Sequence, residues 1–110
     1  MGVQENRVKW AKALLSGDYK QWKYRLKTNS KYCCLGVLCE LYRKETGKGK
    51  WKGGAVKVFE IGNVSKVHEP PKAVLEWAGL ENSDITIFTV ANDMYLQSFK
   101  EIAKTVLALK

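Results

Sequence analysis

The sequence predicts an α+β fold. One small domain covers residues 1–110, with a central apolar helix over about 33–44, helices at both ends of the chain and a small antiparallel sheet. Three observations carry this. The ten residues Tyr32–Leu41 are almost wholly apolar, and a run this apolar between charged segments has to be buried. Segments of helical period are mixed with β-branched segments without regular βαβ alternation, which marks α+β rather than α/β. The chain has 110 residues, 45% of them hydrophobic and four of them tryptophan, enough to close one core without staples.

The elements follow in order. Val8, Ala11, Leu14 and Leu15 recur at helical spacing with Trp10 beside them, and Gly17 is a stop, so the first helix runs from about Asn6 to Ser16. Trp22, Tyr24 and Leu26 then alternate with Lys23, Arg25 and Lys27. That period of two predicts a strand with one aromatic face and one cationic face. Thr28-Asn29-Ser30 is a turn. The central helix follows and ends at Gly47. Gly36 inside it costs about 1 kcal/mol of helix propensity, so it is expected to admit a close neighbour. Lys44 to Gly54 reads as a flexible basic loop around Trp51. Val56 to Ile61 and Val64 to Val67 are short strands joined at Gly62-Asn63. Pro71 opens a short helix that turns Val74, Trp77 and Ala78 inward and stops at Gly79. Ile85 to Val90, β-branched and aromatic, is read as a strand. Ser98 and Glu101 form a capping box, so the last helix runs from about Phe99 to Leu109 and buries Phe99, Ile102, Ala103 and Val106.

No apolar run reaches the roughly 18 residues that span a bilayer. The polar start Met1–Asn6 has no apolar signal core, so a cytosolic location is expected. The cysteines number three, and Cys33 and Cys34 are adjacent. A disulfide framework is a poor fit, and buried, reduced thiols are expected. The spacing of Cys33, Cys34 and Cys39 suits no zinc knuckle, and the only histidine is His68, so neither a metal nor a cofactor is expected.

Charge is uneven. Residues 1–57 hold fourteen Lys/Arg against four Asp/Glu, a net +10; residues 58–110 hold five against seven, a net −2. This asymmetry points either to a basic face with an anionic partner or to a Lys-rich surface that only keeps the chain soluble and unassociated. The candidate anion-binding residues are Lys20, Lys23, Arg25, Lys27 and Lys31, interleaved with aromatics, and Lys48, Lys50, Trp51 and Lys52 of the predicted loop. Cations hold phosphate and aromatics stack bases, the combination nucleic-acid binders use. The segment Gly47–Lys52 lacks the Gly-Lys-Ser/Thr ending of a phosphate-binding loop. Asn92-Asp93, read as following a strand, is a second candidate site, because loops at strand ends often carry function.

Tyr32-Cys33-Cys34-Leu35-Gly36-Val37-Leu38-Cys39, with Ser16-Gly17-Asp18-Tyr19-Lys20-Gln21 upstream, resembles a group of small proteins common in bacteriophage genomes. Pro71-x-x-Val74-x-x-Trp77-x-Gly79-Leu80, Asn92-Asp93 and Ser98-Phe99-x-Glu101-Ile102-Ala103 are similar to their other signatures. One departure is the link Met94-Tyr95-Leu96-Gln97, where the group usually has a short glycine-containing segment. The resemblance implies an accessory protein of a phage, made inside a bacterium. It implies a setting and no mechanism.

The sequence therefore leads to a protein that acts by binding an anionic partner: nucleic acid, a nucleotide or an acidic host protein. By analogy with other small phage proteins, it would serve host takeover or counter-defence. The alternatives are an enzyme using Cys33, Cys34 or the Asn92-Asp93 loop, and a structural or oligomer-forming accessory protein. No membrane association is expected, and the oligomeric state is open.

Overall fold

The structure, a computed structural model, describes residues 2–109. These residues form five helices: α1 (Val3–Leu15), α2 (Cys34–Thr46), α3 (Lys72–Ala78), α4 (Asn82–Asp93) and α5 (Phe99–Leu107). Six short strands accompany them: β1 (Lys20–Gln21), β2 (Lys27–Thr28), β3 (Lys31–Tyr32), β4 (Lys50–Lys52), β5 (Val58–Ile61) and β6 (Val64–Lys66). The class is α+β. None of the helices is long and apolar enough to cross a membrane.

α2 is the central helix. Every residue from Cys34 to Glu40 is buried, and Tyr42 with them. Cys33 caps its start, where the sulfur accepts the Gly36 N–H at 3.4 Å. Gly47, at φ 73, ends it in the left-handed conformation that glycine adopts without a Cβ clash. Gly36 fits the expectation of a close neighbour: a Cβ there would lie 1.8 Å from the Leu26 carbonyl oxygen. α1 lies along α5, with α2 and α3 also against it. Its Trp10 donates an indole N–H to the Cys34 carbonyl at 3.0 Å and meets Phe88 edge-on. Arg7, buried on the same helix, donates to the Ala78 and Gly79 carbonyls at the end of α3. A cation there complements the negative end of the helix dipole. α5 buries Phe99, Ile102, Ala103 and Val106 as expected, behind the Ser98–Glu101 capping box.

Three local expectations are overturned. Residues 85–90 are helix, not strand. α4 buries Ile85, Phe88, Ala91 and Asn92, a stripe of helical period, and the Asp84 carboxylate accepts the Glu81 N–H at its start. Packing against α2 decides the conformation against the β propensity of Ile, Thr and Val. Residues 22–26 are not a strand either, because Tyr24 sits at φ 74 and breaks the extended run between β1 and β2. The segment around Trp51 is not a loose loop but β4, paired with β5 in the register Trp51↔Phe59.

The expected sheet is two three-stranded sheets. One, β4-β5-β6, is antiparallel throughout; the other has the order β1-β3-β2, with β1 and β3 parallel. They are stitched together where Lys57 N–H donates to the Lys27 carbonyl and Asn29 N–H to the Ala55 carbonyl.

Candidate functional site

The basic residues divide by strand register. Side chains directly across a sheet share a face. Lys20, Lys31 and Thr28 form one such row; Gln21, Tyr32 and Lys27 form the next, on the opposite face. Lys20 and Lys31 therefore point away from Lys27. The Lys31 ammonium lies 4.2 Å from the centre of the Trp22 ring, and that of Lys23 lies 5.2 Å from the Tyr24 ring. Arg25 is exposed on the same segment. Lys27 instead enters an aromatic notch, 4.9 Å from Tyr32 and 5.3 Å from Trp51.

Lys48, Lys50, Trp51 and Lys52 do not join this group as a mobile flap. Lys50 and Lys52 lie on the same face of β4 and share one carboxylate, Glu60, at 3.8 and 3.2 Å. Trp51 is half-buried between Tyr32 and Phe59, and its indole N–H donates to Glu40 at 2.9 Å. Only Lys48 keeps an exposed side chain without a carboxylate there. Among the described residues no carboxylate lies within ion-pair distance of Lys20, Lys23, Arg25, Lys27 or Lys31.

Residues 22–26 are pinned at alternate positions, which explains how a broken strand stays ordered. Trp22 N–H donates to the Tyr32 carbonyl at 2.8 Å, and the Trp22 carbonyl accepts from the Asn92 amide at 2.7 Å. Tyr24 N–H donates to Asp93 at 3.0 Å, and its carbonyl meets His68 Nδ1 at 2.9 Å. Leu26 N–H donates to the Val67 carbonyl at 2.8 Å, and its carbonyl accepts from Cys33 N–H at 3.2 Å. Leu26 is buried, whereas Trp22 and Tyr24 remain 44% and 55% exposed. A tyrosine at positive φ costs of order 1–3 kcal/mol and persists only where its surroundings over-determine it. Here both sides of its peptide unit are held by side chains from α4 and from the segment after β6.

Asn92-Asp93 thus lies in the last turn of α4, not in a loop after a strand. Asn92 is 2% exposed and fully engaged. Its oxygen accepts from Cys34 N–H and the Gln21 amide, and its nitrogen donates to Trp22 and to Asp93. Gln21 completes the knot by donating to the Gln97 carbonyl and accepting the Phe99 N–H. Three sequence motifs, ending at Gln21, running from Tyr32 to Cys39 and containing Asn92-Asp93, converge on this one amide.

Beside the knot, Gln21, Trp22, Lys23, Asn92 and Leu96 line a small cleft of about 250 Å³. Met94, Tyr95 and Leu96 stand 72%, 72% and 62% exposed next to it, with Leu96 at φ 51. Sequence reasoning missed Gln21, His68 and this apolar run. The signal for the run was available, since Met94, Tyr95 and Leu96 are three consecutive large apolar side chains outside every predicted element. Nothing local marks Gln21 or His68.

The cysteines are free and buried. Burial pushes the Cys33 thiol up to about 12 and raises Cys34 and Cys39 as well, opposite to what a nucleophile needs. Among the described residues no three His, Cys, Asp or Glu gather as metal ligands. A larger cleft of about 790 Å³ lies between the β5–β6 hairpin and α3, walled by Ile61, Pro70, Pro71 and Leu75 and edged by both Lys66 and Glu69. Its charges are of mixed sign, so it does not carry the basic asymmetry of the chain.

No curated protein and no solved structure matches this chain. A family model does match, over residues 3–108, which takes in every helix and strand described above. The chain belongs to the family described as Domain of unknown function (DUF8296).

Proposed function

We propose that the protein acts by binding an anionic partner through the face built on residues 20–31. The observation that supports this reading is the set of cations around Trp22 and Tyr24 that, among the described residues, have no carboxylate at ion-pair distance. Unpaired cations beside exposed aromatic rings attract phosphate or carboxylate groups and hold the organic part of the same partner. Lys20, Lys23, Arg25 and Lys31 form the centre of the face. Lys27 points to the opposite face of the sheet and Lys48 lies outside this group, whereas Lys50 and Lys52 are largely committed to Glu60. The partner classes are nucleic acid, a nucleotide or an acidic host protein. The setting, an accessory protein of a phage acting in the bacterial cytoplasm in host takeover or counter-defence, rests on the resemblance of the Tyr32–Cys39 motif and its companions.

Calorimetric titration with inorganic polyphosphate tests the face without presupposing a base. Binding should weaken as salt rises, because each released counterion gains less entropy in a more concentrated solution. Lys23→Glu with Arg25→Glu should weaken it strongly while the fold survives, since neither charge has an ion-pair partner among the described residues. Undiminished binding by the double variant would contradict the placement of the face.

A further inference from the structure

We infer that the anionic partner is single-stranded nucleic acid, held by base stacking on Trp22 and Tyr24 with no readout of base identity. The inference rests on the anionic-partner reading above and deepens it. An indole has two faces, and Lys31 covers one of them at 4.2 Å. The residue is still 44% exposed, and it borders a cleft of about 250 Å³, too small for a duplex but open to one planar group beside Trp22 and Leu96. Tyr24 offers a second exposed ring two residues on. Lys31 and Lys23 sit against these rings, and Lys20 and Arg25 are exposed on the same stretch of chain, where a strand with stacked bases carries its phosphates. An acidic protein surface would match the cations but would leave the rings unused.

The polar groups of the cleft explain why identity would go unread. Base edges are distinguished by free donors and acceptors. Gln21 and Asn92 are the amides lining the cleft, and both are already engaged. Both Gln21 N–H groups donate, to Asn92 and to Gln97, and its oxygen accepts from Phe99. Asn92 makes four bonds. What remains for a base is the apolar surface of Trp22 and Leu96, the charge of Lys23 and the Trp22 indole N–H, a single donor that an acceptor on any base can meet and that does not by itself tell bases apart. Every base has a π-face, so stacking on such a surface is tolerant of sequence. The pinned backbone of residues 22–26 holds the rings in place before the ligand arrives, which lowers the ordering cost of binding.

The experiment compares a thymidine oligonucleotide of about a dozen nucleotides with an abasic strand of the same length, which has the phosphates without the bases. By fluorescence anisotropy the abasic strand should bind about ten-fold more weakly or worse. Trp22→Ala should lower affinity for the thymidine strand to near the abasic value and leave abasic binding unchanged. Circular dichroism serves as the folding control, and Trp22→Phe should restore part of the loss. Adenine and cytosine strands should match the thymidine strand within about three-fold, and a duplex, whose bases are already stacked on one another, should bind more weakly than the thymidine strand. Equal binding of the abasic and thymidine strands would overturn stacking while leaving the anionic face intact. A strong preference for one base, or for the duplex, would overturn the inference in its sequence-tolerant, single-stranded form. Binding to none of these strands, with polyphosphate also unbound, would remove the anionic reading itself.

Discussion

Gly36 shows what one atom decides in this protein. A β-carbon there would fall on the Leu26 carbonyl, which is backbone and cannot rotate away. Gly36→Ala should therefore destabilise at the upper end of the overpacking range, about 3 kcal/mol, read as a fall in urea midpoint. A neutral substitution would mean that α2 and residue 26 are not in contact. The thiols test the same core from inside. With Cys33 raised to about 12, native protein at mildly alkaline pH should react with a thiol reagent only as fast as it unfolds. Rapid modification of one cysteine would contradict its burial. Glu40 carries a pH dependence. Burial alone would raise its carboxyl, but the bonds from Arg43 and Trp51 and the neighbouring charges outweigh burial and hold it below the usual range. A group depressed in the folded state adds stability that is fully present above its unfolded value, about pH 4, and is lost as pH falls through its folded value. Glu40→Gln should flatten the acid limb of a stability–pH curve below about pH 4, and an unchanged limb would exclude the role.

At the scale of elements, the decisive unit is residues 22–26 with its supports. Removing the Asn92 side chain leaves the Cys34 N–H, one Gln21 N–H and the Trp22 carbonyl without this partner. Each buried group left unsatisfied costs about 1–3 kcal/mol, so Asn92→Ala should be strongly destabilising. Hydrogen exchange should show amides 22–26 opening before those of α2; uniform exchange would mean that Asn92 supports the whole core and not this segment. The contrast with the sequence is sharpest here. The central helix, its glycine stop, the β5–β6 turn at Gly62-Asn63 and the last helix were legible because local pattern and tertiary packing agree. Residues 22–27 and 85–90 were not, because packing overrides pattern in both. Alternation suggested a strand at 22–27, yet the left-handed Tyr24 is stabilised by Asp93 and His68, which are 69 and 44 residues distant. Trp51 among lysines and glycines looked like a loop residue, and only the fold supplies Phe59, Tyr32 and Glu40 around it. Of the candidate site, the basic composition and the aromatic neighbours were readable, but the division of lysines between two sheet faces was not.

For the whole molecule, the charge asymmetry acquires a location. The basic N-terminal half builds the face around Trp22, whereas Lys50 and Lys52 are drawn toward Glu60. The acidic C-terminal half supplies α4, whose last turn anchors that face from behind. The knot at Asn92 therefore couples the two halves, and binding should protect amides 22–26 further against exchange. The most direct test of the central claim is the salt slope of binding to a single-stranded oligonucleotide. Each phosphate neutralised on a single strand adds about 0.7 to the slope of log affinity against log salt. With four to five cations engaged, the wild-type slope should be about −3, and Lys23→Glu with Arg25→Glu should reduce it by more than about 1 while weakening binding. A slope near zero, or one that the double reversal leaves unchanged, would contradict the assignment of this face as the binding surface.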